Sequence, residues 1–145
     1  MNRILVVFIV LLALGAQAWA QDAIGVVKTV SGGAIVIDAD KPVAARAGTP
    51  VRLGSVLKTG PKGSMGVTFS DDTVMSFGPD TEVTVDEYLY APSRGDLKFT
   101  TNISRGTLAM VSGVIAKLKP DAATVKTPTA TIGVRGTRFV VKVER

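Results

Sequence analysis

Gly48, Gly54, Gly60, Gly63 and Gly66 recur at gaps of six, six, three and three residues. That spacing excludes a stable helix, because each interior glycine costs about 1 kcal/mol relative to alanine. The runs around them alternate. Met65, Val67 and Phe69 take one side against Gly66, Thr68 and Ser70, and beyond Asp71-Asp72, Met75 and Phe77 do the same against Val74 and Ser76. A two-residue period is that of a strand with one apolar face. Gly78-Pro79-Asp80 turns the chain, and Val83 and Val85 then alternate with Glu82, Thr84 and Asp86. Earlier, Gly25 to Val30 and Ala34 to Ile37 flank Gly32-Gly33, which predicts a hairpin, with a further turn at Asp38 to Pro42. Strands are also expected at Asp96 to Thr101 and Thr107 to Ser112, and one helical turn near Val114 to Leu118. About ten short strands at this spacing predict an all-β domain: a sandwich, a barrel or an irregular solenoid-like coil. The lack of a strict repeat weighs against a regular solenoid.

The segment from Lys126 to Val143 reads KTPTATIGVRGTRFVVKV. Pro128 has no N–H to donate and holds Thr127 extended, which suits a strand entrance. Thr129, Thr131, Ile132 and Val134 are mostly β-branched and favour a pleated surface. Gly133 and Gly136 then free the backbone for a kink or for close packing. Beyond them Phe139, Val141 and Val143 alternate with Val140 and Lys142, so strand, kink and strand are expected. Pro128, Gly133, Gly136 and Thr137 are assigned to the turn. Arg135 and Arg138 flank Gly136-Thr137 and are candidate partner-binding residues, since two guanidinium groups beside exposed N–H groups can grip a carboxylate or phosphate. The structural alternative, favoured by the glycines beside them, pairs Arg135 with a core-edge carboxylate or carbonyls and leaves Arg138 on a solvated face. Tyr88 and Tyr90, with Leu89 between them and Ala91-Pro92-Ser93-Arg94-Gly95 following, are expected on a loop. They are the other candidate partner-binding pair, against the alternative that they close a β core.

The other end of the chain bears on compartment. After Asn2 and Arg3 come uncharged, mainly apolar residues from Ile4 to Ala16, then Gln17 and Ala18-Trp19-Ala20. A basic start, a short apolar core and an A-x-A step predict a signal peptide at residues 1–20, cleaved before Gln21. The apolar run is shorter than the roughly 20 residues that span a bilayer as a helix. Residues 21–145 are then one exported domain, periplasmic or secreted, with no membrane span after leader cleavage. Without cysteine its stability rests on packing alone.

Composition narrows the chemistry. Histidine and cysteine are absent, so a Ser-His-Asp triad, a histidine-ligated metal and thiol catalysis are all closed to this chain. The remaining carboxylates, Asp71, Asp72, Asp80, Glu82, Asp86 and Glu87, fit turn positions and the polar side of a strand better than a catalytic pair or a calcium loop. No catalytic residue, cofactor or metal is expected. Beyond the leader, 16 basic residues stand against 12 acidic ones, a net of +4, and they occur singly along the chain. With no basic stripe or aromatic stacking platform, nucleic acid is not the expected partner.

These residues together carry a resemblance. GVVKTVSG from Gly25, LGSVLKTGPKGSMGVTFSDDTVMSFGPDTEVTV from Leu53 and VKTPTATIGVRGTRFVV from Val125 resemble the periplasmic FecR domain of bacterial envelope proteins. The last piece is the most specific. In the middle piece Asp71-Asp72-Thr73 stands where the family commonly has Asp-Gly-Ser or Asp-Gly-Thr. The resemblance implies a binding or scaffolding role in the envelope. FecR-type regulators add a cytoplasmic sigma-binding segment, a membrane helix and a further signalling module, none of which is read here, so a stand-alone domain rather than a complete anti-sigma regulator is expected. Its partner would be another envelope protein, met through an exposed strand edge. The alternative function is a cell-wall or carbohydrate-binding module.

Overall fold

The computed structural model describes residues 22–144, so the expected leader lies outside the described residues. Strands dominate, as the alternation requires. In chain order they are β1 (Gly25–Ser31), β2 (Ala34–Asp38), β3 (Lys41–Ala44), β4 (Pro50–Val51), β5 (Val56–Thr59) and β6 (Ser64–Phe69). They continue with β7 (Val74–Phe77), β8 (Glu82–Ala91), β9 (Asp96–Val111), β10 (Ala123–Lys126), β11 (Thr131–Gly133) and β12 (Arg138–Val143). A short helix, α1 (Val114–Leu118), follows β9 where a helical turn was expected. All twelve strands join one sheet, ordered β3-β2-β5-β8-β9-β7-β6-β1-β4, with β10 and β12 also pairing with β9 and β11 pairing with β10. Every pairing is antiparallel except β10 with β9.

The fold is therefore all-β, and its layout is a single curled sheet with two sectors around one core. Val27, Val67 and Met75 enter that core from the first sector; Val36, Leu57 and Val83 enter it from the second. The alternation read at Met65, Val67, Phe69, Met75, Phe77, Val83 and Val85 marks buried positions throughout. The burial of apolar side chains at about 25 cal/mol per Å² is what holds a sheet curled in a chain without disulfides.

Local signals misplace how the strands connect. β1 pairs with β6 and β4, whereas β2 pairs with β5 and β3. Gly32-Gly33 is thus not the turn of a hairpin but a corner at which the chain passes from the first sector to the second. Its glycines serve close approach: Gly60 N–H donates to Gly33 O at 2.8 Å, and a Cβ on Gly32 would collide with the Lys62 carbonyl. The chain crosses again between β5 and β6 and between β7 and β8. β1-β2, β6-β5, β7-β8 and β9 consequently lie side by side as four long bent strands.

The strands expected separately at Asp96 to Thr101 and Thr107 to Ser112 are one strand, β9. Gly106 bends it at φ +93° without ending it, since β8 pairs up to Arg105 and β7 takes over at Leu108. An alanine there would be strained by that φ and would also collide with Thr81.

Two buried threonines tie the corners together. Thr59 Oγ1 donates to Gly78 O at 2.6 Å and accepts from Thr81 N–H at 3.0 Å. Thr81 Oγ1 donates to Gly78 O at 2.8 Å and accepts from Thr107 N–H at 3.0 Å. Replacing Thr81 by the isosteric valine leaves the part-buried Thr107 N–H without its acceptor, which costs about 1 kcal/mol. Urea unfolding should show that loss for Thr81→Val and a smaller one for Thr81→Ser; equal losses would mean that packing, not the hydroxyl, holds the corner.

Candidate functional site

The carboxylates go first to structural work. Asp71 lies in the β6–β7 connection and is fully buried. Its Oδ2 accepts from Thr73 Oγ1 at 2.8 Å and from Ile115 N–H at 3.2 Å; its backbone carbonyl accepts from Val114 N–H at 2.7 Å. The first turn of α1 has no side-chain cap of its own, so Asp71 supplies from a distance the acceptors its free N–H groups need. Gly113, just before α1, has no room for a side chain because the Asp71–Thr73 backbone packs against it. Asp72 and Asp80 take positive φ, +68° and +52°, as turn residues. Glu82 pairs with Lys58 and Arg105 at 3.7 and 3.8 Å, and Glu87 with Lys98 at 3.3 Å. Among the described residues no group of three or more acidic side chains could hold a metal ion.

Tyr88 and Tyr90 are not on a loop. Both belong to β8, and a bulge at Asp86 shifts the register so that Tyr88 falls opposite Phe99. Periodicity could not reveal this, because a bulge reverses which side chains face inward. Tyr88 packs edge-on against Phe99 with ring centroids 5.2 Å apart and lies 5.9 Å from Phe69. Its hydroxyl accepts from Asp71 N–H at 3.0 Å and donates to Asp71 Oδ1 at 3.1 Å. Tyr90 and Leu89 are exposed. The pair named as one candidate surface is thus divided between the core and solvent.

Burial, and after it the neighbouring Asp71 carboxylate, pushes the Tyr88 phenol well above its ordinary value. A phenol raised in the fold contributes stability that is complete below its unfolded value of about 10 and is lost as pH rises through the folded one. Tyr88→Phe should therefore cost about 1–2 kcal/mol at neutral pH, through the lost bonds to Asp71. Chemical unfolding of both proteins between pH 8 and 11 should show a shallower alkaline loss in the variant.

The C-terminal segment departs in one detail from the expected strand, kink and strand. Thr127-Pro128-Thr129-Ala130 is the tip of a β10–β11 hairpin rather than a strand entrance: Thr127 N–H donates to Ala130 O at 2.8 Å, and Thr127 Oγ1 accepts from Ala130 N–H at 3.0 Å. Proline fits that tip because its fixed φ suits a turn. The kink follows at 134–137, where the chain leaves β10–β11 in the second sector for β12 in the first. Gly136 takes φ +84°, and Ser112 donates to two successive carbonyls, from Oγ to Gly136 O at 2.9 Å and from N–H to Thr137 O at 2.8 Å. Gly133 has neither a positive φ nor a neighbour within 4 Å of an added Cβ, so the backbone requirement in this segment rests on Gly136.

Arg135, within that kink, and Arg138, at the start of β12, are exposed, and neither enters an ion pair among the described residues. No carboxylate among the described residues pairs with Arg135. The segment both arginines belong to is basic: residues 114–144 carry six basic side chains against two acidic, whereas 22–113 carry nine against ten. The positive excess of the described residues therefore belongs to the segment after β9. Beside β12 lies a cavity of about 670 Å³, bounded by Ser104, the Thr127–Thr129 turn, Ile132 and Val141 to Glu144.

What the fold defines is an all-β domain that spends its buried polar groups on its own corners and leaves a basic strand at its margin. Residues 55–145 match the family described as FecR, FecR protein, and the chain belongs to that family. FecR domains are regulatory, signal-relay modules that face the periplasm. The match begins at the start of β5, so the Gly25 piece of the resemblance lies before it, although β1 is a strand of the same sheet. No curated protein and no solved structure matches the chain. No helix among the described residues is long and apolar enough to cross a membrane.

Proposed function

We propose that this chain is an exported, non-catalytic envelope module that binds another protein, as a scaffold or as one step in relaying a signal. FecR membership over residues 55–145 is the observation that carries this reading. Further support comes from the leader-like start at residues 1–20 and from a sequence without histidine or cysteine. Strand edges supply the means, because a sheet margin offers unpaired backbone groups to an extended partner. Among the described residues β3, β4, β11 and β12 each pair with one neighbour only.

Export is tested by the intact mass of the protein recovered from the periplasm or medium, which should correspond to a chain beginning at Gln21. Binding is tested by crosslinking in intact cells and identification of what is captured. A specific envelope protein should be recovered, while isolated cell-wall sacculi should not sediment with the purified domain. Retention by sacculi with no protein captured above background would replace this function with cell-wall binding.

A further inference from the structure

Building on the protein-binding reading, we infer that the open side of β12 receives an extended acidic segment of a partner polypeptide as an added strand. The pairing register shows which groups are available. Ser112 N–H donates to Thr137 O, one step before the Arg138–Val111 pair of the β12–β9 ladder. Antiparallel pairing alternates, so Phe139, Val141 and Val143 turn their backbone groups to β9, while Arg138, Val140 and Lys142 turn theirs outward. β9 is the only strand that pairs with β12 among the described residues.

The other margins carry features that discourage pairing. β3 has Pro42 within its four residues, β4 is two residues long and starts at Pro50, and β11 is three residues long. The part of β8 beyond its pairing with β5 begins at the Asp86 bulge. Proline, shortness and bulges each blunt an edge. β12 has six residues, no proline and a regular register.

Charge and shape select the occupant. Arg138, Val140 and Lys142 are exposed on one face of β12, whereas Phe139, Val141 and Val143 face inward or are partly covered. A second copy added at this edge would bring two basic segments together. A strand with acidic residues opposite Arg138 and Lys142 would form cross-strand pairs instead. Its alternate side chains would enter the cavity, where Ile132, Val141 and Val143 offer apolar contact alongside Ser104, Thr127, Thr129 and Glu144. Lys142 also lies 3.2 Å from Glu144, but that pair is largely exposed and offers weak competition.

The test uses the full mature chain and a fluorescent heptapeptide, Val-Glu-Val-Glu-Val-Glu-Val, with its lysine-for-glutamate counterpart as control. Anisotropy should show saturable binding of the acidic peptide, about tenfold or more weaker binding of the basic one, and weakening with added salt. Hydrogen exchange should slow at Arg138, Val140 and Lys142. Val140→Pro removes an outward N–H and should abolish binding with the melting temperature little changed. Arg138→Glu with Lys142→Glu should reverse the peptide preference, which keeps the test decisive should the proline variant unfold. Equal binding of the two peptides, protection at another edge, or dimerisation through β12 would overturn the inference. Capture of an envelope protein in cells by a photoreactive side chain at Val43 but not at Val140 would overturn this inference alone and leave the protein-binding function standing.

Discussion

The corner seam is the constraint on which the rest of this fold depends. Four long strands have to bend at the same level for the sheet to curl, and each bend leaves backbone groups that a straight ladder would have paired. Thr59 and Thr81 recover those groups from inside, with Gly78 O shared between their two hydroxyls and Thr107 N–H taken by Thr81. The corners also have to pack closely, which is why Gly32 and Gly106 sit where a Cβ would collide with a neighbouring corner. Two sectors with one shared core follow from this seam.

A second anchor closes the structure after β9. Buried Asp71 reaches out of the β6–β7 connection to both the start of α1 and the Tyr88 hydroxyl, so one carboxylate couples the helix, the bulged strand β8 and the aromatic group around Phe99. Ser112 then fixes the Gly136-Thr137 kink from the end of β9. Together they position the last strand. Asp71 and Ser112 are taken up in these anchors, and on β12 the residues left facing solvent are Arg138, Val140 and Lys142. The family to which the domain belongs is one of periplasmic regulatory, signal-relay domains.

Several elements were legible directly. Met65 to Phe77 and Val83 to Val85 alternate in sequence and are buried in the same alternation, because side-chain direction along a strand depends only on the nearest residues. The family-specific C-terminal segment was also legible, together with its kink. The errors share a cause. Gly32-Gly33 has the composition of a hairpin turn and is a corner; Gly106 resembles a break and is a bend within β9; Tyr88 and Tyr90 precede a turn-rich stretch yet belong to a bulged strand. Asp71 was read as a turn residue, and nothing in the local pattern Asp-Asp-Thr signals that its carboxylate is buried against a helix more than forty residues later.

The amino-acid sequence by itself therefore determined which stretches are extended and which of their side chains are apolar, since both follow from local sterics and a two-residue period. It determined as well the lack of thiol and imidazole chemistry and the family to which the chain belongs. Tertiary structure alone decided which glycines are corners, which carboxylate is buried, and which described strands pair on one side only. Those outcomes depend on hydrogen-bond partners brought together from distant parts of the chain, and a ladder of that kind has no imprint on the residues beside it.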